Sequence, residues 1–141
     1  MADVTQTAAN FRINASGARQ KTVQAGETVE PGEPLYLNAD GKYWKAAATS
    51  ATLAAAKGVC GSYGDADDYI QLIEEGELDM GGTLVLGEGY LVSNTSGNIM
   101  PLGDLSTGEY GHLLGWASSA SNLKLVNQNT TTFLTGSTAR A

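Results

Sequence analysis

A thirteen-residue segment recurs at an offset of 55 residues, and this internal repeat constrains the fold more than any other feature. Gly26-Glu27-Thr28-Val29-Glu30-Pro31-Gly32-Glu33-Pro34-Leu35-Tyr36-Leu37-Asn38 aligns with Gly81-Gly82-Thr83-Leu84-Val85-Leu86-Gly87-Glu88-Gly89-Tyr90-Leu91-Val92-Ser93. Four positions are identical: Gly26/Gly81, Thr28/Thr83, Gly32/Gly87 and Glu33/Glu88. Leu35-Tyr36-Leu37 matches Tyr90-Leu91-Val92 in character, and Lys57-Gly58-Val59-Cys60 matches Leu114-Gly115-Trp116-Ala117 at offset 57. Ordered agreement of strand, turn and strand implies two copies of one supersecondary unit.

Each copy reads as β. Pro34–Ala39 and Lys42–Ala47 flank Asp40-Gly41, a two-residue hairpin signal because both central residues need positive φ. Tyr90–Asn94 and Ile99–Leu102 flank the longer turn Thr95-Ser96-Gly97-Asn98. Asp68–Glu74, Thr83–Leu86, Tyr110–Ser118 and Asn122–Asn127 read as further short strands. Ala46–Lys57 is the one helical candidate, with Leu53 its single large apolar anchor, so one turn or a loop fits it equally well. The expected fold is all-β: a small sandwich or barrel of two pseudo-repeated β units, an extended N-terminal arm and at most one short helix. The arm covers residues 1–22 and carries a short strand near Phe11–Ile13; the β domain covers 23–127, with halves of about 23–79 and 80–127; a Thr-rich tail covers 128–141.

Composition removes several classes. Of 141 residues, 19 are Ala and 40 are larger apolar residues, enough for one modest core. There are 18 Gly and only 3 Pro, a composition of tight turns rather than of a Pro-rich linker. The longest apolar run is too short for a transmembrane helix, and residues 1–12 show no signal-peptide pattern. One cysteine, Cys60, precludes an intrachain disulfide, and one histidine, His112, precludes a His-pair zinc site. Net charge is −7, distributed as +2 over residues 1–24, −11 over 25–116 and +2 over 117–141. An acidic body lacks the clustered Lys and Arg that non-specific nucleic-acid binding needs.

Chemical motifs are sparse. Seven of the 15 acids fall between Asp65 and Asp79, but the EF-hand spacing fails, and residues 74–79 read as a strand end and loop whose acids point apart. His112 sits inside an apparent strand, Cys60 follows Gly58-Val59 in an apolar context, and there is no Gly-x-Ser-x-Gly elbow. No enzyme activity, cofactor or metal is expected. Val23-x-Ala25-Gly26-Glu27-x-Val29-x-Pro31-Gly32 resembles the turns of biotinyl and lipoyl carrier domains, and Lys42 follows a hairpin turn; the lysine context of those carriers is missing. Only the turn geometry is shared.

The order of motifs along the chain is more specific. Met-Ala-Asp-Val-Thr and a polar arm precede Ala25-Gly26-Glu27-x-Val29-x-x-Gly32-x-x-Leu35-Tyr36-Leu37-x-x-Asp40-Gly41-Lys42 and an Ala-rich stretch. Gly58-Val59, Gly87-x-Gly89-Tyr90-Leu91-Val92-Ser93, Gly108-Glu109-Tyr110-x-x-Leu113-Leu114-Gly115-x-Ala117-x-Ser119 and Leu123-Lys124-Leu125 follow. Over roughly residues 2–127 this resembles the small tailed-bacteriophage virion proteins that decorate or cement capsids, including domains of head fibres. The Thr-rich tail departs from that pattern. The resemblance implies a non-enzymatic protein, made in the bacterial host cytoplasm, that binds the major capsid protein on the capsid exterior, often as a homotrimer. It implies no nucleic-acid or membrane partner. On this reading Phe11 and Ile13 are apolar anchors of the arm, and Arg12, Arg19 and Lys21 its polar contacts to the capsid or a neighbouring subunit. The alternatives are another virion module (head fibre, tail or baseplate domain) or a surface carbohydrate-binding module using Tyr43, Trp44 and Tyr63.

Overall fold

The computed structural model describes residues 4, 8–13, 19–105, 110–125 and 134–135. The fold is mostly β, a single curled antiparallel sheet forming a half-barrel. Its strands are β1 (Arg12–Ile13), β2 (Arg19–Gln24), β3 (Pro34–Leu37), β4 (Tyr43–Lys45), β5 (Ala56–Cys60), β6 (Tyr69–Asp79), β7 (Gly89–Val92), β8 (Ile99–Pro101), β10 (Leu113–Ala117) and β11 (Asn122–Leu125). The short strands β9 (Tyr110–Gly111) and β12 (Leu134–Thr135) pair separately. Among the described residues no helix is long and apolar enough to cross a membrane.

The sheet is built twice from one plan. In the first unit the pairing order is β4-β3-β5-β6-β2, and in the second it is β8-β7-β10-β11-β6. Strand β6 is shared: its N-terminal part pairs with β5 and β2 and closes the first unit, while Gly76–Asp79 pair with β11 and open the second. Backbone hydrogen bonds repeat with the sequence. Gly32 N–H donates to Cys60 O at 2.9 Å, and Gly87 N–H to Ala117 O at 2.9 Å. Cys60 N–H donates to Glu33 O, as Ala117 N–H does to Glu88 O; Ala25 N–H donates to Asp68 O, as Met80 N–H does to Ser121 O. Gly32 and Gly87 both hold positive φ, at 95° and 83°, a conformation that costs glycine nothing.

Core positions also correspond. Val23, Ala25, Val29, Leu35, Tyr43, Cys60 and Leu72 line the first unit, and Leu78, Met80, Leu84, Tyr90, Ile99, Ala117 and Leu123 stand at their places in the second. The second set shares its cluster with Phe11, Tyr36, Ala46, Ala56, Val59 and Ile73 from the first unit and its N-terminal segment, so the two units are joined through one core.

Four local expectations change, the first at Asp40-Gly41: Gly41 holds positive φ and Asp40 does not, and Asn38 N–H donates to Lys42 O, so the hairpin closes through a loop longer than two residues. The helical candidate resolves to the single turn, one of its two expected forms. Ala46–Lys57 contains only the one-turn helix α1 (Ala51–Ala54), capped by Ser50, whose Oγ accepts from Leu53 N–H at 3.1 Å. The preceding alanines are spent on close approach: Gly97 N–H donates to Ala46 O, and Ala48 N–H to Ser93 O, where the units meet. Tertiary contact overrides Ala helix propensity here. Thr83–Leu86 is not a strand, because Leu84 N–H bonds singly to Ala120 O and the chain then turns at Leu86–Gly87. Tyr110–Ser118 breaks at His112 into β9 and β10. Residues 74–79 are continuous strand rather than strand end and loop, held by pairing to β11 on Gly76–Asp79.

Candidate functional site

The N-terminal segment is laid on the body from its first described residue. Val4 packs against the main core, and its N–H donates to Ile99 O at 3.0 Å. A 3-10 turn, Ala8–Asn10, delivers Phe11 into the same core, where it is buried. Arg12 and Ile13 follow in the two-residue strand β1, both exposed, where Arg12 stands opposite Asp79 and Ile13 opposite Leu78 of β6. Arg12 Nη1 donates to the carbonyls of Ala9 at 2.9 Å and Phe11 at 2.7 Å, which fixes the guanidinium over the turn. With Asn10, Asp79, Gly81, Gly82 and Thr83 it borders an open polar depression of about 540 Å³.

Arg19 and Lys21 lie in β2, inside the sheet, although residues 1–22 read as an arm in sequence. Arg19 Nε stands 3.6 Å from Glu74 and 3.4 Å from Glu75, and Lys21 Nζ stands 3.4 Å from Glu74. Lys21 Nζ also lies 5.9 Å from the centroid of the Tyr43 ring. The positive N-terminal charge thus stitches β2 to the acidic strand β6. These pairs are half-exposed on the basic side, so each contributes on the order of 0.2–1 kcal/mol. Of the five residues expected to meet a partner, the structure brings Arg12 and Ile13 together on the surface, commits Phe11 to the core, and places Arg19 and Lys21 in a network of their own.

The residues with reactive side chains are used internally. Cys60 is fully buried; burial pushes its thiol up to about 11, and Sγ–H donates to Ser62 O at 2.9 Å. Iodoacetamide at pH 8 is expected to leave native Cys60 unmodified and to alkylate it fully in denaturant. Alkylation of the native protein at the rate of a free thiol would contradict that burial. His112 is buried, and burial and then the nearby Lys57 charge hold its imidazole below its ordinary pKa, in the neutral form. Lys42 is tied to Asp67 at 2.5 Å, and that hydrogen bond raises its pKa. No group of three or more His, Cys, Asp or Glu that could hold a metal occurs among the described residues.

The aromatic platform read from sequence is dispersed. Tyr43 is buried inside the first unit. Trp44 is half-buried, laid so closely over Gly26 that a Cβ there would run into its ring, and its Nε1–H donates to Asp40 at 3.3 Å. Of the three, Tyr63 alone is exposed; with Thr28, Glu30, Asp65 and Asp68 it lines a depression of about 300 Å³.

What sequence reasoning missed is a second surface. Trp116 in β10 is 44% exposed, and beside its strand the turn Val85–Leu86 is 64% and 70% exposed. Gly89 passes beneath the Trp116 ring, where a Cβ would sit 3.1 Å from it. Val85 N–H donates to the buried Tyr90 hydroxyl at 2.8 Å, which holds the turn in place. The signal was present in the repeat, where Glu30-Pro31 is replaced by Val85-Leu86 and Val59 by Trp116. No family model matches this chain, and no curated protein matches it in sequence.

Proposed function

We propose that this protein is a decoration, or cement, protein that binds the major capsid protein on the outside of an assembled tailed-phage capsid, as a homotrimer made in the host cytoplasm. The observation that carries the reading is the correspondence between the ordered motif run and the body it builds. Both Gly-x-x turns and both apolar triplets fall at equivalent places in two β units. The burial of the single Cys and the single His in packing supports a binding role over catalysis. Arg12 and Ile13 are both exposed in β1, and they are the proposed capsid contacts. Phe11 anchors them, and Arg19 and Lys21 fix the strand that follows.

Three equal contacts on a three-fold site convert weak single contacts into tight binding. Preference for the expanded lattice then stabilises that lattice by mass action. The test is co-sedimentation with assembled shells of the phage that encodes the protein. Wild type is expected to pellet with expanded shells and to raise their melting temperature. Arg12→Glu with Ile13→Asp is expected to weaken that binding at least tenfold while leaving the far-UV circular dichroism unchanged. Wild type that stays in the supernatant with expanded shells would discard the reading; the double variant pelleting normally would discard the assigned contacts.

A further inference from the structure

We infer that copies of this chain associate head to tail, the Leu37 rim of one copy's first unit seating against the Trp116 face of another copy's second unit. The template is the contact between the two units within one chain. There the first unit contributes Val59 and Ile73, both fully buried, and the second unit contributes Val92, also fully buried, to one shared core cluster. Strand register places Trp116 at the position of Val59: Val59 pairs with Pro34 and Ile73, and Trp116 with Gly89 and Lys124. The same register places Leu37, opposite Tyr43, at the position of Val92, opposite Ile99.

At each of these places one unit is covered and the other is open. Val59 is buried, and Trp116 is 44% exposed; Val92 is buried, and Leu37 is 44% exposed. Pro31 is buried, and its counterpart Leu86 is exposed. The intrachain contact therefore uses one face of the first unit and the rim of the second, and it leaves the opposite pair unused. A second copy supplies both missing partners at once. Such a contact is heterologous, so it propagates until a ring closes. It concerns the chain's contact with itself and stands whether or not the assembled protein binds a capsid.

The experiment measures solution mass by light scattering and native mass spectrometry, with thermal melts as the folding control. Wild type is expected to form a discrete oligomer of more than one chain. Leu37→Glu and Trp116→Glu, at positions nearly half exposed, are each expected to remain folded and to run as monomers. Mixed in equal amounts at high concentration, the two variants are expected to form a dimer and stop there, because each keeps the face that the other lacks. A wild-type monomer at every concentration, a single variant with wild-type mass, or a mixture that stays monomeric overturns the inference. A self-complementary patch centred on Trp116 would leave Leu37→Glu fully oligomeric, and that outcome also overturns it.

Discussion

Gly115→Ala is expected to destabilise the fold by roughly 3 kcal/mol or more, at the upper end of overpacking effects. In a chain of this length that is a fall in melting temperature of about 10 °C. A Cβ at Gly115 would lie 2.9 Å from the carbonyl carbon of Lys124 and closer still to its oxygen. Both atoms are backbone of the paired strand β11, so no side-chain rotation relieves the clash. Gly115 faces Tyr90 across β7, next to the register shift at Leu113/Gly115, where the sheet bends. Its counterpart Gly58 faces Leu35 next to the shift at Leu35/Tyr36, and a Cβ there would meet the Ile73 carbonyl in the same way. Gly58→Ala is expected to match Gly115→Ala within a factor of two. Gly103→Ala, with no atom within 4 Å of the added carbon, serves as control and is expected to change stability by less than about 0.5 kcal/mol. Equal melting temperatures for Gly115→Ala and Gly103→Ala would show that the strands are not this close.

Truncating Tyr90 is expected to have a comparable effect by the opposite route, a cavity instead of a clash. Tyr90 is among the largest fully buried side chains, and Tyr90→Ala is expected to cost about 3–5 kcal/mol in urea unfolding. Part of the loss is a hydrogen bond, since the hydroxyl accepts from Val85 N–H. Tyr90→Phe isolates that part, expected at about 1 kcal/mol. Its more telling readout is hydrogen exchange at the Val85 amide, which is expected to accelerate while the amides of β7 stay protected. Because the same bond holds the Val85–Leu86 turn beside Trp116, Tyr90→Phe is also expected to weaken self-association without abolishing it. Unchanged exchange at Val85 would separate the turn from the core.

Much of this fold is legible along the chain because its causes are local. Gly41 and the paired glycines 32 and 87 mark bends through φ alone, which needs no knowledge of distant residues. Alternation and turn spacing then yield β3, β4, β7, β8 and β11 within a few residues. The site was less legible. Arg19 and Lys21 read as free arm charges because their partners, Glu74 and Glu75, lie more than 50 residues away. Phe11 and Ile13 look alike in sequence; Phe11, leaving the 3-10 turn before β1, is buried in the main core, while Ile13, in β1, is 38% exposed, and no local pattern distinguishes them.

Class, two-fold repetition and most of the bends are written along the chain, since repeated residues impose repeated local conformations. Packing settles the rest: that β6 serves both units, that Ala46–Ala48 form a crossing between them, and which of two equivalent faces is covered. Val59 and Trp116 occupy the same place in the same plan. What separates them is whether another unit lies on top, and burial depends on neighbours that no local pattern encodes.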